Sequence, residues 1–384
     1  MRIAVDGYEA NVPQRLGSSL VGFELIRNFE RIDKKNEFTI LLPSKPLDDF
    51  PKERSGWEYK ILKPKRFWTR IALPFSLYTI KRKPDLIFSP THYIPRFSPV
   101  NRVVTIFDLS FLHFPEMFNA KDLWQLRNWT KFSAENADHI ITISKFSKQD
   151  IIEQYSVDKK NITVAYPGYD EEKFKVQNVS EETAFGRTKF KIEETKRKYK
   201  IGDNYIIYVG TIQPRKNLIR LIEAVSRIEN IRLIIVGKTK GEGKEGWMFQ
   251  ETLDAPKRLG IEDRVIFTGY VPSEDLPYLL QAAQAFILPS LWEGFGIPVL
   301  EAMACGVPVL ASNVSSLPEV CGNAGLTFDP YSVDQIEQAI RTIISDKKLA
   351  NKLSKQGLKQ AKKFSWEKMA KTVLKVFEKV VSKS

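Results

Sequence analysis

The feature that most restricts how this chain can fold is a rhythm: short, unbroken apolar runs of strand length alternate with longer stretches of helical periodicity. It is sharpest between Ala285 and Ser312. There Ala285-Phe286-Ile287-Leu288 leads through a turn holding Gly294 and Gly296 into an apolar-periodic segment closed by Gly306, and a second apolar run ends at Ser312. Strand, loop, helix, strand is a βαβ unit. The same rhythm runs through Ile3 to Asp6, Phe38 to Leu42, Tyr59 to Leu62, Leu86 to Ser89, Val103 to Phe107, His139 to Ile143 and Ile162 to Ala165. It resumes at Tyr205 to Gly210, Ile231 to Gly237 and Val265 to Gly269. Such runs suit parallel strands covered by helices on both faces, and ligands of such sheets bind beyond the carboxyl ends of the strands.

At 384 residues the chain exceeds what one core organises, so two α/β domains are expected. The pattern divides into an N-terminal Rossmann-like domain over residues 1–170, a charged linker or insertion over 171–203, and a C-terminal Rossmann-like domain over 204–365. A final amphipathic helix over 366–384 carries Met369, Val373, Val376, Phe377 and Val380 on one face. The N-terminus begins directly on a strand pattern and no apolar run reaches the roughly 20 residues of a membrane helix, so a cytoplasmic protein is expected. Cys305 and Cys321 lack metal spacing and read as reduced core thiols.

The loop after the Ala285 run carries chemistry. Pro298 suits a first helical turn, which leaves Gly294, Phe295, Gly296 and Ile297 to present backbone amides at a helix start, an anion-binding arrangement. Glu293 lies in the loop and Glu301 about one turn into the helix. Carboxylates there can each accept two hydroxyls, which suits a ligand with phosphates in the middle and polyhydroxylated rings at both ends. Gly210 ends an earlier strand, and the next loop sets Arg215 and Lys216 side by side, with Asn217 in place to cap a helix. Two cations facing the amides would neutralise a diphosphate from both sides. Taken alone, two glutamates at this spacing also fit a solvated helix.

With its surroundings, Pro-Ser-x-x-Glu-Gly-Phe-Gly before and Met-Ala-Cys-Gly-x-Pro-Val after, the Glu293 to Glu301 spacing resembles the E-x7-E signature of the retaining GT-B glycosyltransferases, in particular family 4. The resemblance covers nearly the whole chain and is weaker in the first half. It implies a GT-B fold of two Rossmann-like domains facing across a cleft, with the last helix crossing back to the first domain. It also implies transfer of a hexose, mannose or glucose, from a UDP-sugar or GDP-sugar to a glycan or lipid-linked acceptor. No cofactor or metal is expected, and no Asp-x-Asp triplet occurs. By the same resemblance Gly17 and Ser18 lie near acceptor and donor phosphates and the backbone at Val271 meets the nucleotide base; Asp108, at a strand's carboxyl end, reads either as a ligand for a sugar hydroxyl or as the cap of the following turn. The match departs at Phe107, where relatives usually carry a histidine before the aspartate. A non-catalytic nucleotide-sugar-binding protein and a nucleotide-sugar epimerase are the alternatives.

Residues Lys60 to Lys83 hold eight basic side chains and no acid, with aromatics between them. Within a net charge of +13, this reads either as a membrane-surface helix meeting anionic lipid or as a crossover helix with a solvated basic side. The aromatics read as buried, and no nucleic-acid module surrounds them. His92, in the loop Ser89 to Pro95, reads as a plain loop histidine or as a proton-transfer or hydroxyl-binding group.

Overall fold

The computed structural model describes residues 1–174, 182–238 and 250–383. The chain forms two compact units: Met1–Gly168 together with Ser365–Ser384, and Tyr169–Phe364. The first holds strands β1 (Arg2–Asp6), β2 (Glu37–Leu42), β3 (Trp57–Ile61), β4 (Leu86–Ser89), β5 (Asn101–Thr105), β6 (His139–Thr142) and β7 (Ile162–Val164). The second holds β8 (Tyr205–Val209), β9 (Arg232–Val236), β10 (Val265–Gly269), β11 (Ala285–Leu288), β12 (Val309–Ser312) and β13 (Gly325–Phe328).

All pairings between these strands are parallel, for example Ile3 opposite Leu86 and Phe286 opposite Val309. The sheets run β3-β2-β1-β4-β5-β6-β7 and β10-β9-β8-β11-β12-β13. Each therefore reverses its winding direction once, between β1 and β4 in the first unit and between β8 and β11 in the second. The loops leaving those strand pairs diverge there and open a crevice, the place where open α/β sheets take their ligands.

The expected apolar runs and the observed strands agree because each run is buried on both faces: β4, β6, β11 and β12 are buried along their whole length. In the first unit the helix Ser18–Ile32 and the last helix Trp366–Val381 share one apolar seam. Phe377 packs 5.7 Å from Phe29 and 5.1 Å from Phe88, ring centre to ring centre. Burying one such side chain contributes about 1.5–3 kcal/mol, so the last turns of the chain are part of this unit's core. Cys305 and Cys321 are buried free thiols of the second unit.

Several local expectations change. Within the charged segment 171–203, Glu182–Lys198 is a helix, because its Lys and Glu residues favour helix and Thr195 and Lys196 are drawn into burial. Residues 175–181 of that segment lie outside the described residues. The basic stretch is not one helix with a buried aromatic face. A five-residue π-helical turn, Trp68–Ala72, passes into a seven-residue helix, Leu73–Thr79. Trp68, Leu73 and Leu77 are buried, but Phe67, Ile71, Phe75 and Tyr78 are 49, 47, 67 and 64% exposed.

Candidate active site

In the second unit the crevice between β8 and β11 gathers the residues singled out around Glu293. The loop after β8 carries Arg215 and Lys216 in a 3-10 turn opened by Pro214, and the loop after β11 carries Glu293. The Lys216 ammonium donates to Glu293 Oε1 at 2.5 Å, and Arg215 lies 3.5 Å from Oε2 while donating to the Trp292 carbonyl at 3.0 Å. Glu293 and Lys216 are each 8% exposed. Burial alone would raise the Glu293 carboxyl, yet the two cations and hydrogen bonds from Lys216 and Ser290 hold it below the usual carboxylate range. The cluster carries two positive charges against one negative, so one positive charge is left over for an anionic ligand.

Serines that drew no attention in the sequence orient that glutamate. Ser290 donates to its Oε1 at 2.7 Å, its own amide donates to Ser315 Oγ at 3.0 Å, and Ser316 donates to the carbonyls of Glu293 and Phe295. Ser290 sits three residues from Glu293 and could have been read from that spacing. Ser315 and Ser316 arrive from the loop after β12, more than twenty residues on, and carry no local signal.

Asn217 does not cap the following helix with its side chain. Its backbone is left-handed, φ +59°, a conformation Asn tolerates better than most residues. The amide instead donates to the carbonyls of Pro289 and Pro330, at 3.1 and 2.7 Å. One side chain thus ties together the loops after β8, β11 and β13. Leu291 adds a backbone bond to the Arg215 carbonyl at 2.8 Å.

The helix Ile297–Ala304 starts from Gly296 and has Pro298 in its first turn. Gly296 has φ +108°, and a Cβ there would sit 2.9 Å from Leu317 Cδ2; only glycine meets both conditions without strain. The Phe295 ring is buried against Phe364, 5.6 Å between centroids, so only its main chain can face a ligand. Glu301, one turn into the helix, is half-buried, and its side chain makes no hydrogen bond or ion pair among the described residues. Burial, with Asp170 adding repulsion and Lys173 opposing it, raises its carboxyl to about 7. Gly210 closes β8 by donating to the Val236 carbonyl. Val271 is buried in the loop after β10. Ser273, two residues before the N-cap Asp275 of the next helix, donates to Glu274 and does not cap that helix.

The remaining candidates belong to the first unit, along the carboxyl edge of its own sheet. Gly17 precedes the helix Ser18–Ile32 with φ +55° and ψ −120°, a region open to glycine. The serines behind it do not cap: Ser18 donates to Glu9 at 3.1 Å and Ser19 to the Leu16 carbonyl at 2.9 Å. Asp108, after β5, accepts from the Ser110 amide at 2.8 Å, the turn-forming role open to any aspartate there. Phe107 is buried. His139 is a structural residue: it is buried, paired with Thr163 Oγ1 at 2.8 Å, and burial lowers its pKa to about 4.

Among the described residues no group of three or more His, Cys, Asp or Glu side chains could hold a metal, and no helix is long and apolar enough to cross a membrane.

Comparison with known proteins agrees with this architecture. Residues 191–360 match the family described as glycosyl transferases group 1, and residues 17–173 match glycosyltransferase family 4. The chain is 33% identical over 315 residues to the O-antigen chain mannosyltransferase B of Escherichia coli, covering 80% of this chain and 76% of that one. It is 31% identical over 256 residues to a serotype-specific mannosyltransferase of the same organism, covering 65% of this chain but 30% of that longer one. Among solved structures, a sucrose-phosphate synthase from Thermosynechococcus elongatus superposes over the full length of both chains with a TM-score of 0.77 at 19% identity. The Anabaena protein HepE in complex with UDP-glucose superposes with a TM-score of 0.74 at 19% identity, over 99% of this chain and 100% of that one. The chain belongs to the GT-B group 1 glycosyltransferases of family 4 and transfers sugar.

Proposed function

We propose that the chain moves a hexosyl group, mannosyl by its resemblance to the O-antigen chain mannosyltransferase, from a nucleoside-diphosphate sugar to a hydroxyl of a glycan or lipid-linked acceptor, with retention at the anomeric carbon. The observation that carries this reading is the convergence of Arg215 and Lys216 on Glu293 beside the helix start at Gly296. A departing nucleoside diphosphate gains negative charge as the bond from C1 to phosphate oxygen breaks. Fixed cations and helix-terminal amides stabilise that charge most when they are already in place. In this reading Arg215, Lys216 and the amides from Gly294 to Ile297 hold the diphosphate. Glu301 holds the ribose hydroxyls, Val271 and Gly210 flank the nucleoside, and Glu293 orients Lys216 and reaches the transferred sugar.

The Glu293 carboxylate is committed to two cations and to Ser290 and is not free to act as nucleophile. That supports front-face transfer, in which the acceptor oxygen bonds to C1 on the side the phosphate leaves and the acceptor proton passes to the departing phosphate oxygen. The chemistry needs no metal. Gly17 and Ser18 are assigned to acceptor and donor phosphates, and Asp108 to a sugar hydroxyl, on the first unit's edge.

The exposed Phe67, Ile71, Phe75 and Tyr78, set among Lys63, Lys65, Arg66 and Arg70, support a peripheral site on anionic membrane. Apolar tips can enter the interface while each cation contributes about 1 kcal/mol at an anionic surface. Co-sedimentation with vesicles containing and lacking phosphatidylglycerol tests this; binding indifferent to anionic lipid discards it.

The central test is a thermal-shift screen of UDP-sugars and GDP-sugars followed by NMR of the product's anomeric centre. Stabilisation by a sugar nucleotide and an unchanged anomeric configuration are expected. An inverted product, or epimerised donor without acceptor, would refute the proposal.

A further inference from the structure

The first unit holds a narrow notch whose walls include Thr69, Arg70, Tyr93, Arg96, Trp129 and Phe132. Three elements build it: the π-helical turn Trp68–Ala72, the loop leaving β4, and the helix Ala120–Asn136, which turns Trp129, Phe132 and Ser133 to one face. The Arg96 amide donates to the Thr69 carbonyl at 2.8 Å, and the Ile94 amide donates to Ser133 Oγ at 3.2 Å. The loop is thereby fastened to the turn on one side and to the helix on the other, and two arginines meet at a single rim.

Both arginines keep their donors unused. Among the described residues neither guanidinium makes a hydrogen bond or an ion pair. Each lies over an aromatic ring instead, Arg96 3.8 Å from the Phe132 centroid and Arg70 5.3 Å from that of Trp129. Other arginines of the chain are bonded out: Arg264 donates to the carbonyls of Val225, Ser226 and Ile228. Stacking on a ring holds a guanidinium in place and leaves its N–H fork available. Trp129 adds a third unmatched donor, because its Nε1 is buried without a partner, whereas Trp57 and Trp68 donate to Tyr59 and Asp6 at 3.1 and 2.9 Å. A buried indole N–H normally finds an acceptor.

Among the described residues no acidic side chain lines the notch. Donors converging from separate elements, two of them charged, call for an anion whose oxygens point in several directions. A planar carboxylate meets one fork edge-on, while a tetrahedral phosphate presents oxygens to both forks and to an indole. The rim indicates what that phosphate is joined to. Ile71 follows Arg70, Phe67 precedes it by one turn, and Phe97, 67% exposed, follows Arg96. Exposed apolar side chains beside both cations suit an ester whose alcohol carries an apolar chain.

We infer that Arg70, Arg96 and Trp129 form a binding site for a phosphate ester, and that the ester is the headgroup of a membrane phospholipid. This is a saturable site for one phosphate, unlike the diffuse attraction of a basic surface to anionic lipid. It deepens the peripheral-membrane reading, from which it takes the source of the phosphate; the residues assigned to donor and acceptor take no part.

The test labels the tryptophan indoles of the full chain isotopically and assigns the Trp129 signal by its loss in Trp129→Phe. The chain is titrated with dihexanoyl phosphatidylglycerol kept below micelle formation, with inorganic phosphate, and with dihexanoylglycerol, which lacks the phosphate. A saturable Trp129 shift is expected with the phospholipid, a weaker one with inorganic phosphate, and none with dihexanoylglycerol. A Trp129 signal unmoved by the phospholipid overturns the site, a response to inorganic phosphate alone overturns the lipid source, and an equal response to dihexanoylglycerol shows an apolar groove instead. Arg96→Gln is expected to weaken phospholipid binding about tenfold with transfer to a soluble acceptor unchanged, and Arg96→Lys, which keeps the charge without the fork, to recover part of the loss. An equal fall in soluble transfer would assign Arg96 to the fold. A silent Trp129 in a chain that vesicles containing phosphatidylglycerol still recruit would strike the site and leave the peripheral surface standing. No recruitment, with Trp129 answering the short-chain lipid, would strike the membrane source along with the peripheral surface.

Discussion

The two crevices of this molecule occupy equivalent places in two similar sheets and are finished in opposite ways. In the second unit, between β8 and β11, the charges are held in place in advance: Lys216 and Arg215 against Glu293, whose carboxylate also accepts from Ser290 and whose amide donates to Ser315. In the first unit, between β1 and β4, a strained histidine keeps a buried nitrogen unmatched beside Glu9 and Asp108. On the proposed sugar transfer, the difference suits the ligand assigned to each edge. A diphosphate is the same in every donor, so its site can be built rigid, with cations held in advance. A polyhydroxylated acceptor offers many weak, directional contacts, and a site for it keeps hydrogen-bonding capacity in reserve.

The largest effect expected of this contrast follows from removing one member of the buried ion pair. Lys216→Ala leaves Glu293 buried with only Arg215 beside it, and losing one partner of a buried pair costs about 3–5 kcal/mol. Urea unfolding should register that loss, and sugar transfer should fall by at least about 1000-fold. Retained turnover would show that the paired cations are structural. Arg215→Ala, whose guanidinium is less buried, should cost about 100-fold in transfer with a smaller change in unfolding midpoint.

A backbone test comes next. Gly296→Ala forces a side chain into φ +108° and against Leu317, and should cost about 1–3 kcal/mol while weakening nucleotide binding more than acceptor binding. Equal losses on both would erase the distinction between the two edges.

The pH dependence is milder. The Glu301 carboxyl is raised to about 7 by burial, so the folded chain holds a proton that the unfolded chain releases from its ordinary value near 4.5. Between those two values stability falls as pH rises. Nucleotide binding should move the other way, because only the ionised carboxylate accepts from both ribose hydroxyls. Calorimetric Kd values for UDP or GDP should therefore tighten as pH rises through about 7, and Glu301→Gln should flatten the trend. The smallest effect belongs to Phe75→Ser: stability within about 0.5 kcal/mol, with weaker vesicle binding and unchanged transfer to a soluble acceptor.

The sheets were legible because a strand buried on both faces must be apolar throughout, and the runs at β4, β6 and β11 are read directly from their side chains. Glu293 and the Arg215–Lys216 pair were visible as residue types in loops at strand ends. What stayed hidden depends on contacts distant in sequence. The Asn217 amide meets Pro289 and Pro330, 72 and 113 residues away, whereas its local context signals only a helix cap. Ser315 and Ser316 serve a backbone more than twenty residues before them. Phe67, Phe75 and Tyr78 were expected inside because aromatics usually are, but a π-helical turn followed by a helix of seven residues has room to bury only one side.

The Asn217 amide couples the motions of three loops. Because it clasps two neighbouring loops from a third, none of the three can drift along the sheet edge without dragging the others. Thermal jostling is thereby shared: cations, glutamate and helix start travel as one jig, and their mutual spacing survives motions that would scatter three independent tethers. A substitution such as Asn217→Asp, which offers oxygens to the two carbonyls in place of N–H donors, would loosen the jig without touching any group that meets a substrate.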